Sequence, residues 1–206
     1  MRPVALFSFL LTFPALAAPA ASPATTRAAE DGSGPRAALL LYDKLVGPKE
    51  AEKAAGLYHA TTTRERAMAA ALAEVDGGLA DLHHAAREKW GRGAADELVR
   101  VLDGVTAADI NAAKIEVDGD RAAVTFPASN SPTVMVRVGD EWRISVKALL
   151  QKMRASPRAL RRGLAKVAAA ASNAAAKIRQ GQYATPAAVK GQLEKEYRRA
   201  FGAAEE

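Results

Sequence analysis

Residues 114–127, KIEVDGDRAAVTFP, and residues 133–146, TVMVRVGDEWRISV, decide the fold class of this chain. Both stretches alternate apolar and polar residues, and each contains a glycine–aspartate pair, which is the pattern of a β-hairpin. The remainder of the chain is rich in alanine and has apolar residues at helical spacing. We therefore predict an α+β fold in which helices pack on one face of a four-stranded antiparallel meander.

The loops of the two hairpins determine which residues form the apolar face of the predicted sheet. In the first hairpin we predict a two-residue loop at residues 118–119 or 119–120, and in the second a three-residue loop at residues 139–141. These loops give one apolar face, which must be covered by helices, and one polar face that includes Met135. The predicted apolar face comprises Ile115, Val117, Val124, Phe126, Val134, Val136, Val138, Trp142, Ile144 and Val146.

Helical segments are predicted before the sheet, over residues 37–46 and 49–58 and from Thr62 onward. Thr62 and Glu65 fit a capping box, in which each side chain accepts a hydrogen bond from the backbone N–H of the other residue. The glycine pair at residues 77–78 weakens the helical pattern, because a glycine costs a helix about 1 kcal/mol relative to alanine. This pair is expected either to kink one long helix or to separate two helices.

Two further helices are predicted after the sheet. Ser156 and Pro157 begin the first, with the serine as N-cap and the proline in the first turn, and Gly181 ends it. Thr185 and Pro186 begin the second. Two helices joined by so short a loop predict an αα-hairpin. Their apolar stripes comprise Leu160, Leu164, Val167, Ala171, Ala174 and Ile178 in the first, and Val189, Leu193, Tyr197 and Phe201 in the second.

The first residues have the pattern of a secretory signal peptide. Arg2 precedes an apolar run over residues 4–13, which is too short to span a bilayer, and small residues allow cleavage after Ala17 or, as second choice, after Ala20. An uncleaved membrane anchor is the alternative. We therefore expect an exported protein, periplasmic or extracellular and soluble after cleavage. The expected parts are a signal peptide at residues 1–17, a flexible linker at 18–34, an α+β domain at 35–146 and a basic helical hairpin at 147–206.

The second hairpin ends in GDEWRIS, residues 139–145, which combines a glycine, acidic residues, a tryptophan, an arginine and an isoleucine. This ending resembles the close of the last hairpin in small exported nuclear transport factor two-like domains. These include lumazine-binding-like lipoproteins and relatives of the SnoaL-like polyketide cyclases. The resemblance covers about residues 37–146 and implies a cone, with a curved sheet wrapped on helices. Many members bind a small molecule in the cone, and some are enzymes.

Four aromatic residues are candidates for the lining of a ligand pocket, namely Tyr58, Trp90, Phe126 and Trp142. The competing interpretation is that they are the largest core residues, because a chain so rich in alanine needs a few large side chains to fill its interior.

The three histidines, His59, His83 and His84, lack the spacing of a metal site. Adjacent residues on a helix point about 100° apart, so His83 and His84 do not chelate one ion. The sequence contains no phosphate-binding, dinucleotide-binding or nucleophile-elbow motif. We therefore expect no metal, no cofactor and no catalytic residue. The alternative is a hydrolase- or cyclase-like enzyme of the same fold that uses His83 or His84 with a carboxylate.

Charge is distributed very unevenly along the chain. The stretch from Trp142 to Leu193 has eleven Lys and Arg residues and no Asp or Glu, so its net charge is +11. The net charge of the whole chain is +6, so the remainder of the chain carries −5. This pattern favours either a solvated helix face or contact with an anionic surface such as membrane lipid, wall polymer or an acidic partner. Nucleic acid is not expected, because few aromatic residues are interleaved to stack bases. The candidate contact residues are Arg158, Arg161, Arg162 and Lys166.

The leading hypothesis from the sequence is an exported, non-enzymatic envelope protein that binds a small molecule or a protein partner through its α+β domain. A second hypothesis is the enzyme named above. A third is an adaptor that binds an anionic surface through the basic C-terminal helices. A homo-oligomer is compatible with each of the three.

Overall fold

The computed structural model describes residues 34–45, 54–127, 129, 131–152 and 156–201. The predicted signal peptide, nearly all of the predicted linker and the first half of the helix predicted at residues 49–58 lie outside these residues. Within them, no helix is both long enough and apolar enough to cross a membrane. The described helices are α1 (Pro35–Leu45), α2 (Thr63–Trp90), α3 (Arg92–Val101), α4 (Ala107–Ala112), α5 (Val146–Lys152), α6 (Pro157–Arg179) and α7 (Pro186–Phe201). The described strands are β1 (Tyr58–His59), β2 (Lys114–Asp118), β3 (Arg121–Thr125), β4 (Thr133–Val138) and β5 (Glu141–Ser145).

The sheet has five strands in the order β1-β5-β4-β3-β2. Strands β2 to β5 form the predicted antiparallel meander. Tyr58, which we expected at the end of a helix, pairs in parallel with Ile144 of β5, and His59 pairs with Ser145. The α+β class and the C-terminal helices are confirmed, whereas the sheet is mixed rather than purely antiparallel.

Both hairpins close through a two-residue loop. The first loop is Gly119-Asp120, which is one of the two predicted alternatives. The second loop is Gly139-Asp140, so the predicted three-residue loop is wrong. Both glycines have positive φ values, 55° and 62°, and a glycine at the first loop position is typical of the type II′ turn, whose twist suits a hairpin.

The shorter second loop reverses the predicted orientation of β4. Because Val138 pairs with Glu141, Met135 lies opposite Ile144 on one face of the sheet. That face also carries Trp142, and Met135 is only 1% exposed. The valines of β4 lie on the other, half-buried face, so their predicted place in the core is wrong. These valines are Val134, Val136 and Val138.

Two large hydrophobic cores and a small cluster of Ala54 with Ala73 lie among the described residues. The larger core is a bundle of two helical hairpins, α2–α3 and α6–α7. Gly78 lies against Ala168 and Lys89 donates a hydrogen bond to the Tyr183 carbonyl, so α2 and α6 run in the same direction. The smaller core lies where Leu39 of α1 and Ile110 of α4 cover the sheet.

Helix capping follows the sequence closely at the start of α2. Thr62 accepts from the Glu65 backbone N–H at 3.2 Å, and the Glu65 carboxylate accepts from the Thr62 N–H at 3.2 Å. The predicted capping box is therefore confirmed. Thr106 and Asp109 form a second capping box at the start of α4.

The glycine pair at residues 77–78 does not separate two helices, because α2 runs unbroken from Thr63 to Trp90. A Cβ atom added at Gly78 would lie 2.9 Å from the Ala168 carbonyl oxygen and 3.3 Å from the Ala171 Cβ. The absence of a side chain therefore lets the backbones of α2 and α6 approach closely. This contact offsets the helical cost of glycine.

Gly78→Ala is expected to lower the free energy of unfolding by about 1–3 kcal/mol, because the backbone of α6 must shift to admit the methyl group. The matched control is Gly191→Ala in α7, where an added Cβ meets nothing within 4 Å. That control should gain about 0.5–1 kcal/mol from helix propensity alone. Urea unfolding followed by circular dichroism measures both changes. Equal gains in the two variants would show that α2 and α6 do not cross at Gly78.

Candidate anion-binding face

Helix α6 is positioned by its cap and by its apolar stripe. The Ser156 hydroxyl accepts a hydrogen bond from the Ala159 N–H at 3.2 Å, and Pro157 occupies the first turn, as predicted. The apolar stripe packs into the helical bundle and fixes the rotation of α6 about its axis. The buried residues of this stripe include Leu160, Leu164, Val167, Ala171, Ala174 and Ile178.

The side of α6 opposite this stripe carries a cluster of cations. Arg158, Arg161, Arg162 and Lys166 are all exposed. At 100° per residue they span one side of the helix, centred away from the buried stripe. In the part of the chain that the structure describes, none of the four forms an ion pair with a carboxylate. We call these four residues the basic face.

Other cations of the same acid-free stretch have structural partners. The Lys190 ammonium lies 2.6 Å from the Glu97 carboxylate and joins α7 to α3. This hydrogen bond lowers the pKa of Glu97 and raises the pKa of Lys190. Arg179 binds Asp81 through both oxygens of the carboxylate and joins α6 to α2. Lys147 and Lys177 are also exposed and form no ion pair among the described residues, but they stand singly, so the basic face is the cluster of unpaired cations in the described part of this stretch.

The stability of α6 does not explain the basic face. The first turn of the helix contains no acidic residue, although Arg158 lies in this turn and Arg161 and Arg162 follow directly. A cation near a helix N-terminus opposes the macrodipole and costs about 0.3–1 kcal/mol when exposed. Neutral or acidic residues at these positions would stabilise the helix better. The positive charge near the N-terminus of α6 is instead favourable for binding an anion from the solvent side.

An open groove lies between α2 and α6 beside the basic face. Its volume is about 370 Å³, and the α6 side is lined by small residues such as Ala165 and Ser172. Two carboxylates, Glu74 and Asp81, stand on the α2 side. Arg179 pairs with Asp81, so Glu74 is the carboxylate that forms an acidic border along one flank of the basic face.

The four aromatic candidates for a pocket lie in different parts of the structure. Tyr58 is buried in the bundle core, and Trp90 packs against the same core with the Lys89 ammonium 5.1 Å from its ring centre. Trp142 is buried in the sheet core, and Phe126 packs against that core. All four fill hydrophobic cores, and their role in lining a pocket stays a prediction.

Tyr58 makes a polar contact inside the bundle that the sequence did not reveal. Its hydroxyl donates to the Asp76 carboxylate at 2.7 Å. Burial raises the pKa of Asp76 from its ordinary 3.8 to about 8 and also raises the pKa of Tyr58. Asp76 is thus harder to ionise in the folded protein than in the unfolded chain, and its hydrogen bond with Tyr58 ties β1 to the middle of α2.

One histidine meets a carboxylate across the α2–α3 hairpin. His83 Nε2 lies 2.9 Å from Asp96 Oδ1, and Arg92 Nε lies 3.8 Å from the other oxygen of the same carboxylate. The His83 side chain is 31% exposed, so this pair lies at the surface of the hairpin and joins its two helices. In the sequence, this contact could have been inferred from Gly91, which ends α2 and lets α3 fold back so that residues before and after the glycine come together.

His84 points elsewhere and lies 3.2 Å from Glu88 one turn along α2. Among the described residues, no three histidine, aspartate or glutamate side chains converge in a way that would hold a metal ion.

No protein-family model, curated protein or solved structure matches this chain. The resemblance to nuclear transport factor two-like domains therefore stays a prediction.

Proposed function

We propose that this protein is a non-enzymatic binding protein that attaches to an anionic surface through the basic face of α6. The observation that carries the proposal is the cluster of four exposed cations without a described acidic partner, the first of which, Arg158, lies in the first turn of α6, where a cation is unfavourable. With the predicted signal peptide, the surface would belong to the cell envelope.

The magnitude of the expected attraction suits reversible attachment. A cation near an anionic surface contributes about 1 kcal/mol, so four cations supply about 4 kcal/mol, which corresponds to millimolar affinity. Burial of one large apolar side chain of α6 contributes about 1.5–3 kcal/mol. Packing in the bundle therefore sets the orientation of α6, and the cations remain available on the outside.

Changing Arg158, Arg161, Arg162 and Lys166 to glutamine is expected to weaken binding to anionic envelope fragments by up to about a thousandfold, because about 4 kcal/mol of attraction is lost. Cosedimentation of the full chain with fragments that contain both membrane and wall polymer measures the effect at low salt. The control variant makes the same change at four other exposed cations with an equal change in net charge. These are Lys147, Lys177, Lys195 and Arg198.

An equal loss of binding in the two variants would show that only net charge matters and would remove the basic face as the site. Unchanged binding in the first variant would contradict the proposal directly. Both variants should keep the wild-type circular dichroism spectrum, because every changed side chain is exposed.

A further inference from the structure

We propose that the anionic partner is a linear polyanion carrying phosphate groups, which lies along Arg158, Arg162 and Lys166, and that it is not the plane of a lipid bilayer. This inference rests on the proposed function and names the class of partner for the same face.

The cations of the basic face form a line rather than a patch. Arg158, Arg162 and Lys166 are four residues apart, so each step along α6 is about 6 Å and turns the side chain by about 40°. Arg161 lies beside this line near its beginning. A chain with charges repeated at intervals of several ångströms can contact all four cations at once.

Helix α6 has no large apolar side chain exposed that could enter a bilayer. Helices that bind at membrane interfaces bury a face of Trp, Phe or Leu in the lipid. In α6 the large apolar residues are buried against α2 and α7. The exposed positions that follow the basic face hold only small or polar residues. These are Ala165, Ala169, Ser172, Asn173 and Ala176.

The acidic border of the groove also favours a linear anionic partner over a planar anionic surface. Glu74 is exposed beside α6 and has no ion pair within the described residues. An anionic plane pressed on the basic face would meet this carboxylate, and like charges repel. A single chain can follow the cations on the outer side of α6 and avoid the groove.

Three of the four cations are arginines, which fits phosphate as the charged group. The guanidinium presents a planar fork of donors that binds two oxygens of one phosphate together. The expected contact is therefore a series of bidentate arginine–phosphate pairs with one lysine at the end.

The test compares two probes at equal concentrations of negative charge, long-chain inorganic polyphosphate and vesicles that contain 30% anionic phospholipid. The full chain is expected to bind polyphosphate at least tenfold more tightly than it binds the vesicles. For a flexible polyanion the logarithm of the binding constant should fall with the logarithm of salt concentration at a slope of about −0.7 per contact, or roughly −3 for four contacts.

The triple variant Arg158→Gln, Arg162→Gln and Lys166→Gln should lose at least tenfold in polyphosphate affinity, and its salt slope should drop to roughly −0.7 because one contact remains. The control variant, with Lys177, Lys195 and Arg198 changed to glutamine, has the same net charge and should retain the wild-type slope. Vesicle binding that is equal to or tighter than polyphosphate binding, and that depends on the same residues, would overturn the linear partner while leaving the proposed function intact. Absence of binding to both probes would overturn the proposed function itself.

Discussion

Trp142→Ala is expected to lower the free energy of unfolding by about 3–5 kcal/mol, the largest loss from one side chain in the sheet core. Trp142 lies on β5 and is 8% exposed, and it packs in one cluster with Leu39 of α1 and Ile110 of α4. These helices contact the sheet through that cluster, so the cavity weakens the contacts of both helices. Urea unfolding followed by far-ultraviolet circular dichroism measures the loss, and Trp90 remains as a fluorescent probe of the bundle.

A pair of variants on β4 is the control for this prediction. Met135 shares the face of Trp142, whereas Val136 lies on the opposite, half-buried face. Met135→Ala should cost about 2–5 kcal/mol, and Val136→Ala should cost less, about 1 kcal/mol. If Val136→Ala proved more costly than Met135→Ala, Val136 would face the core, and the three-residue loop predicted from the sequence would be correct.

The pairing of β4 with β5 shows a limit of prediction from the sequence. In the first hairpin the apolar residues fall on one face for the observed loop, so its faces were predicted correctly. In strand β4, TVMVRV, the alternation favours the three-residue loop, which places the valines in the core, whereas the two-residue loop places Met135 there. The preference of the type II′ turn for glycine at its first position selects between the two. The presence of a hairpin can thus be predicted from the alternation of its strands, whereas the face that each strand turns to the core depends on one residue in the turn.

The glycine pair in α2 shows a second limit. Read locally, Gly78 weakens a helix, and both a kink and a break were reasonable expectations. Its physical role depends on Ala168, which is ninety positions away and touches it only after the hairpins have packed. Local propensity describes the cost of the glycine, while the long-range contact that offsets the cost is invisible without the fold.

The position of the basic face could be predicted from the sequence, whereas the ion pairs of the neighbouring cations could not. A stretch with eleven cations and no acid is a property of composition, and the helical stripe predicted which side of α6 faces outward. The structure adds the distinction between paired and unpaired cations. Arg179 and Lys190 hold α6 and α7 to the first hairpin, so they are not part of the candidate site, and the four residues near the start of α6 are the cluster of cations that the described fold leaves unpaired.

Asp76→Asn is expected to change the pH dependence of stability by several kcal/mol. Burial raises the pKa of Asp76 to about 8 in the folded protein, whereas the unfolded chain loses this proton near the ordinary value of 3.8. Between these pH values the folded state holds one more proton than the unfolded state. This group therefore lowers the free energy of unfolding by about 1.4 kcal/mol for each unit of rising pH, on the order of 5 kcal/mol in total.

The asparagine variant keeps a carbonyl oxygen that can accept from the Tyr58 hydroxyl and removes the charge. We expect its free energy of unfolding to exceed that of the wild type by about 2 kcal/mol near pH 5, where the unfolded wild type has already lost this proton, and by several kcal/mol at pH 9. Burial also raises the pKa of Asp103, so the difference between variant and wild type isolates Asp76. Asp118→Asn, which removes one carboxylate at an exposed position of β2, is the control. Urea unfolding at pH values from 5 to 9 measures all three proteins, and parallel profiles for wild type and Asp76→Asn would show that Asp76 is ionised in the folded state.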